Sequence, residues 1–316
     1  MALARDGGTP VREDAFPPRH LFGAEETETA TRLFREADET GIEIGYSGEE
    51  ELGYEREFSA FMGGGYADMV NSGTSAVYVA LGALKLPAGS EVIVPPITDP
   101  GGMMPVALLM LVPVIADASP HSFNMGAAEI EAVITERTRA IIVAHIAGNP
   151  ADMDAILAVA AKHNLPVLED CAQAHAASYK GSLVGSLGTI AAFSTMSGKH
   201  HATAAQGGVV FSKDKLLIEE AKRFSDRGKP FFLDEKRGAN DAAARYGSDS
   251  RARNLGNVRA GLNLNGSDLA GAIGRVQLRK LPATVEARRA VVASLAKEIG
   301  TQAFPTDTPS KLAIYP

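Results

Sequence analysis

The stretch from Phe193 to Gly208, FSTMSGKHHATAAQGG, decides how this chain folds and what it can do. An apolar run, Thr189 to Phe193, leads into it with the composition of a buried strand, and Val209-Val210-Phe211 follows with equal β-preference. Between them lie small residues, the Gly207–Gly208 pair and one lysine, Lys199. A lysine carried on a turn between two strands can project its amine into a cleft while the backbone around it stays fixed. A neutral amine held there attacks a carbonyl to form a Schiff base. Most lysines are solvated surface groups, so Lys199 gains weight only from what surrounds it.

Upstream, short apolar runs alternate with helical patterns. Strands are expected at Ala67–Val70, Glu91–Pro95, Val112–Ala116, Ala140–His145 and Leu165–Asp170. Helices are expected at Glu25–Ala37, Glu51–Phe61, Thr74–Leu84, Met103–Leu111, Ala127–Ile134 and Asp152–His163. Several strands are continuous Val/Ile/Leu runs, as in strands covered on both faces. Strand–helix alternation of this kind predicts an α/β, three-layer, mostly parallel sheet with right-handed crossovers. Residues 1–20, with Pro10, Pro17 and Pro18, read as an arm. Residues 21–265 read as the large domain and 266–316 as the start of a small C-terminal one. Beyond Phe211 the pattern predicts a helix at Lys215–Phe224 and a polar loop from Gly228 to Asn257. Two more helices are expected, Ser267–Lys280 with Ser267 as N-cap and Glu286–Ile299, then a strand opening at LAIY near the end.

Composition excludes several classes. An apolar fraction of 45% with 22% charged residues is that of a soluble globular protein. A net charge of -7 and a pI near 5.6 argue against a nucleic-acid surface. A single cysteine, Cys171, forbids an internal disulfide and fits a reducing compartment. The first residues lack the apolar core of a signal peptide, and the run Met103–Ala116 is broken by Pro105 and Pro113. A soluble, cytoplasmic protein without a membrane partner is expected.

Two further motifs bear on chemistry. Asn71-Ser72-Gly73-Thr74-Ser75 sits between a strand and a buried helix, where unpaired amides and the helix dipole can hold a phosphate. Read alone, it could equally be an N-cap. Asp170 closes a strand at the carboxyl edge of the sheet, where ligands of parallel sheets bind. A carboxylate there can keep a pyridinium nitrogen protonated, or merely cap a helix. Gln173 and His175 follow it closely, either as contacts to a ring substituent or as satisfied loop residues. Phosphate turn, carboxylate and lysine, each ending a predicted parallel strand, make up the set that pyridoxal 5'-phosphate requires.

These residues resemble the DegT/StrS family, the fold-type-I, pyridoxal-phosphate-dependent aminotransferases of keto-sugars and aminocyclitols. The matching segments are DGGTPVR at 6–12, NSGTSAVYVAL at 71–81, EVIVPPIT at 91–98 and AIIVAHIAGNPADMDAI at 140–156. They continue with LPVLEDCAQAHAASYKG at 165–181, VGSLGTIAAFS with Lys199 beyond it, and GLNLNGSDLAGAIGRVQL at 261–278. The resemblance implies that Lys199 binds the cofactor covalently and moves the proton. It further implies that Asp170 pairs with the pyridine nitrogen, that Gln173 meets the ring hydroxyl, and that Gly73, Thr74 and Ser194 hold the phosphate. Asn263 would reach the phosphate of a neighbouring subunit, which requires a homodimer. The implied reaction moves an amino group from glutamate or glutamine to a keto group on a nucleotide-linked sugar or a cyclitol.

Three features depart from the family pattern. Asp99 replaces an aromatic expected to cover the cofactor ring, and Asn265 replaces a basic residue. The C-terminal domain is expected to be partial, as if truncated. His200 and His201 have no carboxylate at a ligand spacing, so no metal site is expected there. A one-residue slip would put His200 in the lysine's place, as in a related pyridoxal-dependent sugar dehydratase. The spacing from both flanking strands favours Lys199. Dehydration by the same cofactor, or a non-catalytic regulatory relative, are the alternative readings.

Overall fold

Seven strands and their crossover helices build one mixed sheet with a helical layer on each face. The computed structural model describes residues 3–10, 12, 14–15, 18–120, 122–233 and 256–299. Most of the polar segment 228–257, and the LAIY segment, lie outside the described residues.

Helices α1 (Ala24–Thr40) and α2 (Glu49–Phe61) precede β1 (Tyr66–Val70) and α3 (Gly73–Ala83). Then come β2 (Glu91–Val94), α4 (Pro100–Leu108), β3 (Val112–Ile115), α5 (Ala127–Val133), β4 (Thr138–Ala144), α6 (Met153–Lys162) and β5 (Val167–Asp170). A small hairpin, β6 (Ser178–Tyr179) and β7 (Ser182–Leu183), leads to β8 (Ile190–Ser194) and β9 (Gly208–Ser212). Helices α7 (Lys215–Ser225) and α8 (Asp268–Ile299) close the described chain.

The strand order is β1-β9-β8-β5-β4-β2-β3. Neighbours from β8 to β3 run parallel, while β9 is antiparallel to both β8 and β1. The α/β, mostly parallel architecture is therefore as expected, with β9 inserted in reverse. Alternate residues of a strand serve opposite faces. Ile141 and Val143 join one core with Tyr54, Phe58 and Phe211; Ala140 and Ile142 join the other with Val77, Leu81 and Ile218.

Strand β3 is an edge. Val112 N–H and Ala116 N–H donate to Ser90 O and Val94 O at 2.9 and 3.2 Å, so the nitrogens of 113 and 115 face away from the sheet. Position 113 is proline.

Two expectations need correction. Helix α4 starts at Pro100, three residues before Met103, because Asp99 caps it: its Oδ1 accepts Gly101 N–H at 2.8 Å, with Pro100 at the first helical position. The two C-terminal helices are one, running through Pro282. A proline inside a helix costs about 3 kcal/mol. Here Leu278, Leu281 and Val285 bury one stripe on both sides of it in the same core, which offsets that cost. Ser267 does cap α8, accepting Ala270 N–H at 3.2 Å. Among the described residues no helix is long and apolar enough to cross a membrane.

Candidate active site

The carboxyl ends of β1, β2, β4, β5 and β8 all meet one edge of the sheet, and β9 starts there. The loops leaving these ends line a cleft of about 220 Å³. Ser72, Gly73 and Thr74 come from the β1–α3 turn, Thr98 and Asp99 from the loop after β2, His145 from the end of β4, Asp170, Ala172 and Gln173 from the end of β5, and Ser194 and Lys199 from β8 and its turn. Of the residues expected from sequence, Gly73, Thr74, Asp170, Gln173, Ser194 and Lys199 therefore converge. Asn263 does not line the cleft of its own chain. It bridges Asp226 in antiparallel pairing, and its Oδ1 accepts Asn265 Nδ2–H at 2.8 Å.

At the phosphate turn, Ser72 caps α3 by accepting Ser75 N–H at 3.0 Å. The first-turn amides of Gly73 and Thr74 have no intrahelical partner and aim at the cleft end. Gly73 packs so closely on Ser194 that a Cβ at 73 would come within 2.5 Å of the serine Cβ. Only glycine brings these two walls together.

Asp170 is 8% exposed. Burial pushes its carboxyl up from the ordinary range, opposed by the Ala172 N–H that Oδ1 accepts at 3.0 Å and by nearby Lys199. Gln173 Oε1 accepts Ala147 N–H at 2.7 Å, which fixes the side chain at the cleft rim. Among the described residues no Phe or Tyr lines the cleft; Val77, Ala172 and Met196 are among those that supply apolar surface. At the expected aromatic position, Asp99 is occupied as the α4 cap. Asn265 is buried and paired with Asn263 rather than turned to the cleft.

Lys199 is also 8% exposed and lines the cleft, whereas His200 does not. His200 and His201 pack behind the lysine turn with His175: the His175 ring lies 5.4 Å from His200 and 4.9 Å from His201. His175 Nε2–H donates to Ser194 O at 2.9 Å, so that ring braces the β8 end rather than a ligand. Tyr54 Oη lies 2.6 Å from His201 Nε2.

Two features, one in the cleft and one behind its lysine turn, escape the sequence reading. His145 follows β4, whose Ala144 is in register with Asp170, so the histidine lands beside the Asp170 strand. That register was the available signal. Its Nδ1 accepts Ala151 N–H at 3.1 Å, which leaves the proton on Nε2, 3.1 Å from Glu169 Oε2. Burial raises the Glu169 carboxyl, but His145 and the Gly185 and Gly188 amides outweigh it and hold the group below its ordinary value. Cys171 brings a third ligand-type atom within 4.8 Å of these two. Both imidazole nitrogens and the carboxylate are already engaged, and burial pushes the thiol well up, so the trio reads as structural. The second feature is Arg19, whose guanidinium sits on the lysine turn.

Comparison with known proteins fits this geometry. L-glutamine:2-deoxy-scyllo-inosose aminotransferase of Streptomyces lividus is 37% identical over 233 residues, 72% of this chain and 54% of its own length. GDP-perosamine synthase of Caulobacter vibrioides is 35% identical over 239 residues, 76% of this chain and 59% of its own length. The chain thus spans about half the length of the curated relatives it matches. The X-ray structure of an aminotransferase from Psychrobacter cryohalolentis superposes with a TM-score of 0.83 at 31% identity, covering 95% of this chain and 76% of that one. The model of the DegT/DnrJ/EryC1/StrS aminotransferase family matches residues 24–311, and the chain belongs to that family.

Proposed function

We propose that the cleft holds pyridoxal 5'-phosphate and that the protein transfers an amino group from glutamate or glutamine to a keto group on a nucleotide-linked sugar or a cyclitol. The observation that carries this is the convergence of a helix start with unpaired first-turn amides, a buried carboxyl and a cleft lysine at one sheet edge. The residues fit the group: the Gly73–Ser194 contact leaves a cradle that any Cβ would fill, and Asp170 offers one buried acid at the other wall. When bound, the cofactor would supply the carbonyl chemistry that stores an amino group between donor and acceptor.

Each residue then has a task. Gly73, Thr74 and Ser194 hold the phosphate, and Gln173 meets the ring hydroxyl. Asp170 keeps the ring nitrogen protonated, an ion pair strengthened by its low-dielectric surroundings. Lys199 binds the cofactor covalently and carries a proton at Nζ. Lys199 lining the cleft, with His200 turned away, speaks against the dehydratase reading. The domain division, an arm at 1–20, a cofactor domain at 21–265 and the start of a C-terminal domain at 266–316, is part of this proposal, with α8 packing Leu278, Leu281 and Val285 back into the cofactor domain's core. Among the described residues the last bridge to the sheet pairs Asn265 with Val70, and α8 begins three residues later.

Assaying glutamine and glutamate against a panel of keto-sugars and keto-cyclitols tests the activity. The donor alone should shift the visible absorption, and the right acceptor should reverse it. Absence of any shift with either donor would overturn the proposal.

Asn263, outside its own cleft, is proposed to reach the phosphate of a second copy in a homodimer. Mixing inactive Lys199→Ala and Asn263→Ala proteins should restore part of the activity, since a mixed dimer then keeps one intact site. No recovery under proven subunit exchange means that each chain builds its site alone.

A further inference from the structure

The arm residue Arg19 holds the turn that carries Lys199 from 180 residues away. Its Nη1 donates to Gly198 O at 2.6 Å and its Nη2 to Lys199 O at 3.0 Å. These are consecutive carbonyls, so one planar guanidinium grips the two peptide planes that meet at the Lys199 Cα. Holding both planes fixes the backbone dihedrals of Lys199, and with them the direction in which its side chain leaves the turn. Within the turn, Lys199 N–H donates to Met196 O, Ser197 N–H to Ala205 O and Thr203 N–H to Thr195 O, at 2.8 to 3.0 Å. None of those bonds uses the carbonyls of 198 and 199, which accept from Arg19. Just beyond the arm, Leu21 O accepts Gln277 Nε2–H from α8 at 2.9 Å.

We propose that Arg19 is a positioning residue for Lys199: its two-pronged grip on the carbonyls of 198 and 199 sets the lysine's aim into the cleft. This rests on the proposed cofactor role of Lys199. A lysine at position 19 could reach one carbonyl but could not hold both planes at once.

The test compares the full chain with its Arg19→Gln and Arg19→Lys variants by two readouts. The first is amide hydrogen exchange across 195–205 without cofactor. The Gln variant should exchange roughly tenfold faster there, the size expected for losing a hydrogen bond to a charged group, with unchanged exchange in β5 and α3. The second is the rate at which pyridoxal phosphate becomes attached to Lys199, trapped by borohydride and followed against cofactor concentration. The limiting rate should fall roughly tenfold in the Gln variant and partly recover in the Lys variant, while the half-saturating concentration stays put. Unchanged exchange and unchanged limiting rate would overturn the inference. So would a rise in half-saturation with no fall in limiting rate, the mark of general loosening. If the unaltered chain is never trapped at Lys199, the cofactor role fails instead, and the exchange comparison still decides whether Arg19 holds the turn.

Discussion

Two lysines are buried among the described residues, and they teach opposite lessons. Lys222, on α7, is 1% exposed and closed in by carboxylates. Its Nζ lies 2.8 and 2.7 Å from the two Glu55 oxygens and 3.1 Å from Asp68 Oδ1. Those acids are themselves satisfied, Asp68 by the Ser225 hydroxyl and Glu55 by Met69 N–H. Lys199 is buried almost as deeply but lines a cleft. Burial alone does not make a lysine a chemical group. What sets Lys199 apart from the enclosed Lys222 is its access to the cleft.

Changing each lysine in turn separates the two roles. Lys199→Ala should leave the fold intact but lower amino transfer about a thousandfold or more, within the range for losing a positioned acid–base group. Borohydride should then attach no cofactor to the chain, and substantial residual transfer would mean that the cleft lysine is not the acting one. Lys222→Met should do the reverse, costing about 3–5 kcal/mol in urea unfolding because two carboxylates stay buried without their cation. Its folded fraction should bind cofactor normally. A drop in stability under 1 kcal/mol would show that the cage is an incidental ion pair.

A smaller effect sharpens the contrast from behind the lysine turn. Burial first, then neighbouring His200, pushes the His201 imidazole from 6.5 down to about 3. Burial, with His201 and His200, also holds His175 well below its ordinary range. From about pH 6.5 to 3 the unfolded chain binds protons that the folded chain refuses, so stability falls as pH falls. The slope is about 1.4 kcal/mol per pH unit for each such histidine. His201→Asn should flatten the drop measured between pH 7 and 5.5, and an equally steep drop would remove His201 as a cause.

Much of this was legible in the sequence because it followed from local pattern. The alternation of Val/Ile runs with helices gave the parallel sheet. The small-residue turn after Phe193 gave the lysine. The reversal of β9 was not legible, since strand direction depends on which neighbour a strand finds and not on its own residues. The single helix through Pro282 was hidden for a related reason: a local penalty at the proline is outweighed by packing against distant α2 and core residues. Arg19 and His145 were missed because their significance lies in contacts across the chain, 180 residues away for one and across a strand register for the other.

The outward-facing nitrogen of position 113 has a colloidal meaning. Strand β3 ends the sheet with Val112 and Ile115 40% and 58% exposed, an apolar rim on which another strand could dock. Such docking needs donors along the rim, and Pro113 has no N–H to give. One absent hydrogen in mid-strand thus interrupts the ladder that would otherwise be open to a passing chain. In Pro113→Val that ladder becomes continuous, and light scattering should rise with protein concentration where the unaltered chain stays clear. Equal scattering from the two proteins would mean that the rim is protected by something other than its proline.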